Sequence, residues 1–279
     1  MRRFLINIID FIGIKLVLKK KIISANAAYV KLKNDFFNKT VINQNKDHKL
    51  IPIIIISFNQ LFYLKQLIDF LKKNNFKNIV IIDNNSTYKP LLEYFDKIES
   101  DVTIHRLKEN YGHLVFWKVK ELYKKYSKGY YVVTDADINP ISECPEDFLL
   151  YFKKILDKDL KITKVGFSLK IDDIPITNVN REKILKWESR FWQHCTNDGN
   201  FMAAIDTTFA LYRPRYDHNQ NSFLRGRRTK YPYAAKHGGW YIDSNRLTDE
   251  QKFYLENCNE SSSWRVDKNG KLIKIEYNI

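Results

Sequence analysis

Cysteine is scarce: Cys144, Cys195 and Cys258 are the only three, odd in number and far apart. That pattern excludes a disulfide framework and a paired zinc knuckle, and it suits a reducing cytoplasm. Long apolar runs are missing too. The best stretch, 4–18, is broken by Asp10 and Lys15, so no membrane span is expected. A signal peptide is not expected either, because Lys19, Lys20 and Lys21 sit where an uncharged approach to a cleavage site belongs. There are no internal repeats and no low-complexity tail. Acidic residues are the minority charge, 32 against 47 Lys and Arg, leaving a formal charge of +15. Since 35 of those 47 are Lys, spread along the whole chain, compositional bias accounts for the total as well as function does. A positive surface draws phosphates, nucleic acid or anionic lipid alike and chooses none of them.

What is present is a chain of 279 residues, 44% hydrophobic and 14% aromatic, enough to bury a substantial core and exclude disorder as the main state. Near-continuous β-branched runs at 51–56, 79–82, 102–104 and 130–133 read as buried parallel strands rather than half-wet ones. Between them, 61–72, 90–98 and 113–126 read as helices, the second after a Ser86/Thr87 start with Pro90 early in it. A β-α-β-α-β-α-β order predicts an α/β fold, a mostly parallel open sheet with helices on both faces. Further on, 146–156 and 181–194 read as helices, 165–169 as a strand, 201–212 as a strand or hairpin, and 213–233 as a long mobile loop rich in Arg. The division expected is an apolar and basic helical extension over 1–48, one half over 49–160 and a second half over 161–279. The extension suits packing on the main body, and its basic ends also suit a membrane surface.

In open α/β sheets ligands gather at the carboxyl ends of the strands. Those positions here hold Ser57, Phe58 and Asn59; Asp83, Asn84, Asn85 and Ser86; Asn110, Tyr111 and Gly112; and Asp135, Ala136 and Asp137. Asp83 can accept from a ribose or a base N–H, although Asp-Asn-Asn-Ser is equally the chemistry of a tight turn. Asp135 and Asp137, at i and i+2 on leaving an extended strand, can jointly bridge a hard divalent cation to a diphosphate. Asp157 and Asp159 have the same spacing, at a helix end, and read as a solvated turn.

Taken in order, IPIIIISFNQ, NIVIIDNNS, ENYG and YYVVTDADINP resemble the nucleotide-binding half of GT-A glycosyltransferases, especially the large inverting family of bacterial surface-glycan enzymes. The likeness covers roughly 50–150. It implies a Rossmann-like nucleotide-binding half joined to an acceptor half, with Ser57, Asn59 and Asp83 around the nucleoside and Asn110 and Gly112 beside it. It implies Asp135 and Asp137 as the acidic DXD pair for Mn2+ or Mg2+, with Asp137 the better ligand and Asp135 also near the ribose and sugar. His237, in AKHGGWY, would complete the metal site, although a lone histidine is more often structural. Gly238 and Gly239 would admit a phosphate, and Trp240 and Arg228 would touch substrate, a solvated basic loop being the other reading of the arginines. Asp206, in AIDTTFALYR, is the expected general base. The family's acidic pair opening a helix is missing, which brings in Glu188 of KWESRFW as substitute, where Trp187, Phe191 and Trp192 read as core or acceptor wall. The Gln-rich motif of processive polymerases is absent, which looks like transfer of one sugar.

The activity expected is metal-dependent transfer of a hexosyl unit, with inversion, from a nucleotide-sugar, UDP-linked by the resemblance, to a glycan or lipid-linked acceptor in lipopolysaccharide or capsule synthesis. The expected location is cytoplasmic, peripheral at the inner membrane face where an anionic lipid surface is a partner. One alternative is a sugar-phosphate nucleotidylyltransferase, but 57–60 is not the Gly-rich basic loop a triphosphate needs. The other is a basic nucleic-acid-binding protein, for which no recognition motif is present, so nucleic acid is not an expected partner.

Overall fold

The computed structural model describes residues 25–216 and 224–258. The 1–24 part of the predicted N-terminal extension, with the signal-peptide and anchor readings that fall on it, lies outside the described residues. Helix α1 covers 25–37 and α2 Lys39–Lys46. The Asn38 side chain starts α2 by accepting from Thr40 and Val41 N–H. Gln44, buried on α2, exchanges two hydrogen bonds of 2.8 Å with the backbone of Tyr130, tying this helix to the entry of a central strand.

Among the described residues one sheet of eight strands organises the molecule, in the order β3-β2-β1-β4-β9-β6-β10-β8. The strands are β1 Ile53–Ser57, β2 Ile79–Asp83, β3 Thr103–Arg106, β4 Tyr131–Asp135, β6 Lys164–Gly166, β8 Phe201–Met202, β9 Ala210–Tyr212 and β10 Gly226–Arg228. β1 to β4 pair in parallel; β9 enters antiparallel between β4 and β6; β10 lies parallel to β6 and β8 antiparallel to β10. This is the mostly parallel, helix-covered α/β sheet expected from the element order. A second sheet of three strands joins β5 Ile138–Pro140, β7 Ser168–Leu169 and β11 Ala234–His237 in the order β5-β11-β7.

Strand periodicity splits the buried runs between two cores. Ile53, Ile55, Ile79, Ile81 and Val132 face one, covered by α3 Phe62–Lys73, α4 Lys89–Ile98 and α7 Phe148–Lys158. Ile54, Ile56, Val80, Ile82, Tyr131 and Val133 face the other, covered by α5 Val115–Lys118 and α6 Lys120–Tyr126. Both faces are therefore apolar, which is why the runs do not alternate.

Several expectations are corrected in detail. β3 is an edge strand, exposed at Thr103 and Arg106 and only half-buried between, because the sheet ends there. The helix expected over 113–126 is two, broken where Val119 turns extended. The 181–194 helix is α8 Arg181–Glu188 followed by a 3₁₀ turn at Ser189–Trp192. The residues 201–212 are not one hairpin, since β8 pairs with β10 while β9 pairs with β4 and β6. Residues 217–223 of the loop expected over 213–233 lie outside the described residues, and the described part is not all loop, since Gly226–Arg228 is paired on both sides, by β6 and β8. Helix α9, Asp249–Asn257, opens with a Thr248/Gln251 capping box. Among the described residues no helix is long and apolar enough to cross a membrane.

Candidate active site

A cleft of about 1350 Å³ opens over the carboxyl ends of β1, β2 and β4. Asn84, Asn110, Gly112, Asp135, Asp137, Glu188, Asp206, Arg228, His237 and Trp240 all line it. Ser57, Asn59 and Asp83 do not. They lie directly beneath, because the last pair of the β1–β2 register is Ser57 with Asp83, and the chain must turn there within the protein. Asn59 takes a left-handed φ of 50° and its carboxamide oxygen accepts from Thr87 and Tyr88 N–H at 2.8 and 3.0 Å, holding the entry to α4. Asp83 accepts from Ser86 N–H at 3.2 Å; burial pushes its carboxyl upward, against those bonds. These three form the support of the floor, and Phe58 and Asn84 are what the floor shows to the cleft. Asn84 bridges to the next strand end, donating to Gly112 O at 3.0 Å and accepting from Tyr111 N–H at 2.9 Å. Gly112 has φ 75°, a conformation that a side chain would strain.

β4 ends at Asp135, and Asp137 stands in the turn leading into β5, so the two carboxylates are not presented along one extended strand. Each is held by a different neighbour. Asp135 accepts from Thr207 Oγ1 at 2.6 Å. Burial, and after it the charge of Asp137, raise its carboxyl well above the usual range; the Thr207 bond opposes this and Asp206 adds to it. Asp137 is buried; its carboxylate accepts from Gly239 N–H at 3.2 Å and its carbonyl from Gly238 N–H at 2.7 Å. The small sheet does the decisive work here. Its β5–β11 register sets His237 opposite Ile138, which brings His237 Nδ1 to 3.3 Å from Asp137 Oδ2 across a hundred residues of sequence. That nitrogen is buried and makes no hydrogen bond.

Trp240 is a largely buried part of the cleft wall: it stacks on the His237 ring, centroids 4.9 Å apart and planes 8° apart, and so fixes the imidazole. Gly238 packs on Tyr63, where a Cβ would lie 2.5 Å from the ring. Burial, with the charges of Asp137 and Glu250, pushes the Tyr63 hydroxyl up to about 12. On the opposite wall Arg228 is a buried strand residue, not part of a solvated loop. It ion-pairs with Glu188, donates to Ala204 O at 2.9 Å and lies 4.1 Å over the Phe191 ring. Burial holds the Glu188 carboxyl up at about 7 although Arg228 pulls it down. Asp206 is exposed at the lip, in the loop ahead of β9 rather than within a strand. Asp157 and Asp159 stand away from the cleft, with Asp157 accepting from Tyr130 OH at 2.7 Å and Asp159 paired to Arg227 at 2.8 Å.

Sequence reasoning missed Tyr63, Thr207 and Glu250. Glu250 accepts from Phe62 N–H at 3.1 Å, capping α3 from outside, and Phe253 and Tyr254 of α9 meet Tyr88 and Phe58 beside the cleft. The Thr248-x-x-Gln251 pattern was the available signal for that helix.

No family model matches the chain, and no curated protein sequence matches it. Among solved structures it is similar to a mannosyltransferase, PcManGT from Pyrobaculum calidifontis, in complex with GDP-Man and Mn2+. Identity there is 12%, the TM-score 0.42, and the overlap covers 74% of this chain and 59% of that one. It is also similar to S. aureus TarS 1-349, at 14% identity and TM-score 0.43 over 68% and 60%. A third is a cytidylyltransferase from Leptospira borgpetersenii serovar Hardjo-bovis, at 15% and 0.32 over 50% and 71%. The chain thus spans about three fifths of the length of the first two. Overlaps of this degree assign no activity to it.

Proposed function

We propose that this chain is a metal-dependent glycosyltransferase that moves one hexosyl unit from a nucleotide-sugar to a glycan or lipid-linked acceptor. The observation that carries the proposal is the meeting of Asp137 and His237 at 3.3 Å in the wall of the cleft, beside Asp135. Two carboxylates and a buried imidazole nitrogen without a hydrogen bond are a donor set suited to Mn2+ or Mg2+. Among the described residues no three such groups already stand at ligand spacing. Asp137 and His237 would therefore hold the cation as a pair, with Asp135 near it, leaving positions for a diphosphate. When bound, the cation would offset charge developing on the leaving nucleoside diphosphate, a contribution of several kcal/mol in comparable sites.

Trp240 keeps the imidazole in place, and Gly239 N–H orients the Asp137 carboxylate. Phe58 offers an aromatic face to the nucleoside, a UDP moiety in this reading, with the Asn110 side-chain NH2 beside it. Asp206, exposed at the lip, takes the proton of the acceptor hydroxyl as its oxygen attacks the anomeric carbon from the side opposite the leaving group. Inversion follows, and a positioned base contributes about 10²- to 10⁴-fold. Glu188 is locked to Arg228 and serves as wall rather than base. The bacterial surface-polysaccharide setting rests on the sequence resemblance. A nucleotidylyltransferase is disfavoured because 57–60, Ser-Phe-Asn-Gln, is not the Gly-rich basic loop that a triphosphate needs.

The test is thermal-shift titration with nucleoside diphosphates and nucleotide-sugars, with and without Mn2+. Stabilisation by a nucleotide that needs the metal, and that Asp137→Asn abolishes, is expected. Equal shifts without metal, or in Asp137→Asn, would overturn the metal role; no shift with any nucleotide would overturn the donor.

A further inference from the structure

Helix α1 is turned the wrong way round for a globular protein. Residues 29, 32 and 36 fall on one helical stripe, 30, 33 and 37 on the next, and together they make a broad apolar face interrupted by Lys33 alone. That face points to solvent: Tyr29 is 63% exposed, Leu32 56%, Phe36 69% and Phe37 80%. The polar side is the one held against the molecule. Asp35 pairs with Lys31 at 2.5 Å and accepts from Asn45 of α2 at 3.3 Å. Asn38, which follows α1, donates to Asn34 at 3.2 Å and to Lys128 O at 2.7 Å. The orientation is thus set by hydrogen bonds, and it leaves a contiguous apolar patch without cover among the described residues.

We infer that this face docks on an anionic lipid surface. Charge decides the occupant. Lys33 sits within the patch, Lys39 and Lys128 are exposed beside it, and residues 1–33 carry eight Lys and Arg against a single acid, Asp10. A second copy of the chain would bring these like charges together, whereas anionic headgroups complement them and aromatic and leucine side chains enter the acyl boundary. The inference stands apart from the transferase reading, since none of these residues lines the cleft.

Co-sedimentation of the full chain with vesicles tests it. Strong binding is expected to phosphatidylcholine vesicles containing phosphatidylglycerol, falling roughly tenfold or more on pure phosphatidylcholine and again at high salt. The double variant Phe36→Glu/Phe37→Glu should lose at least about tenfold in partitioning with an unchanged melting midpoint, since both side chains lie outside the core. Lys33→Glu should weaken binding to the anionic vesicles only. No vesicle binding, or equal binding by the Phe36→Glu/Phe37→Glu chain, overturns the inference. So does a concentration-dependent dimer that this variant dissolves, which would make a second copy the cover, or a fall in its melting midpoint, which would make the chain itself the cover.

Discussion

The Glu188–Arg228 pair forms one wall of the cleft and is enclosed, with side chains 1% and 5% exposed. Desolvation holds the Glu188 carboxyl up at about 7, from an ordinary 4.5. The folded state therefore binds the proton more readily than the unfolded chain does. Between pH 4.5 and 7 this makes stability fall as pH rises, by about 3 kcal/mol for a shift of this size. Removing only Arg228 leaves the carboxylate buried and unpaired, so Arg228→Met should cost about 3–5 kcal/mol at pH 7.5. Replacing both partners, Glu188→Leu with Arg228→Met, should be neutral or stabilising by about 1–4 kcal/mol. Urea unfolding of the wild type, both single variants and the double variant at pH 4.5, 6 and 7.5 gives the cycle. The advantage of the double variant over wild type should grow by about 3 kcal/mol across that range. A flat difference, or an Arg228→Met chain as stable as wild type, would refute the reasoning that burial dominates this pair. Acceptor KM should rise in Arg228→Met, because Phe191 loses the guanidinium stacked on it.

Asp206→Asn should lower kcat by about 10²- to 10⁴-fold while leaving metal-dependent nucleotide affinity intact, measured by steady-state transfer and titration. In Gly238→Ala the new methyl would lie 2.5 Å from the Tyr63 ring, and the displaced ring should cost about 1–3 kcal/mol, read as a lower melting midpoint. Lys164 is buried on β6, and burial brings its ammonium down to about 8 from 10.5. The unfolded chain then binds more protons between pH 8 and 10.5, so wild-type stability gains about 3 kcal/mol from this group as pH rises through that window. Lys164→Met should abolish the gain and be more stable than wild type at pH 7 by about 2 kcal/mol, the relief of burial less a hydrogen bond to Ile205 O.

The β-branched runs of β1, β2 and β4 were legible because a strand covered on both faces needs an apolar residue at every position, and that requirement is written locally. The helices between them, the parallel order and the position of Asn84, Asn110, Asp135 and Asp137 at the cleft followed from it. The Gly-Gly after His237 was a usable hint as well. Tertiary pairing decided the rest. Only the β5–β11 register carries His237 to Asp137, and no spacing within a single element encodes a contact between positions a hundred residues apart. Arg228 looked like loop chemistry because Gly226–Arg228 is short and polar, and its strand character comes from β6 and β8 on either side. Ser57 and Asp83 stood at the right strand ends but fell under the floor, since whether a strand-end side chain meets ligand or protein depends on how the next loop folds over it. Residue spacing makes α1 apolar along one side, and which way that side faces is set by Asp35, Asn38 and their partners on α2 and near residue 128.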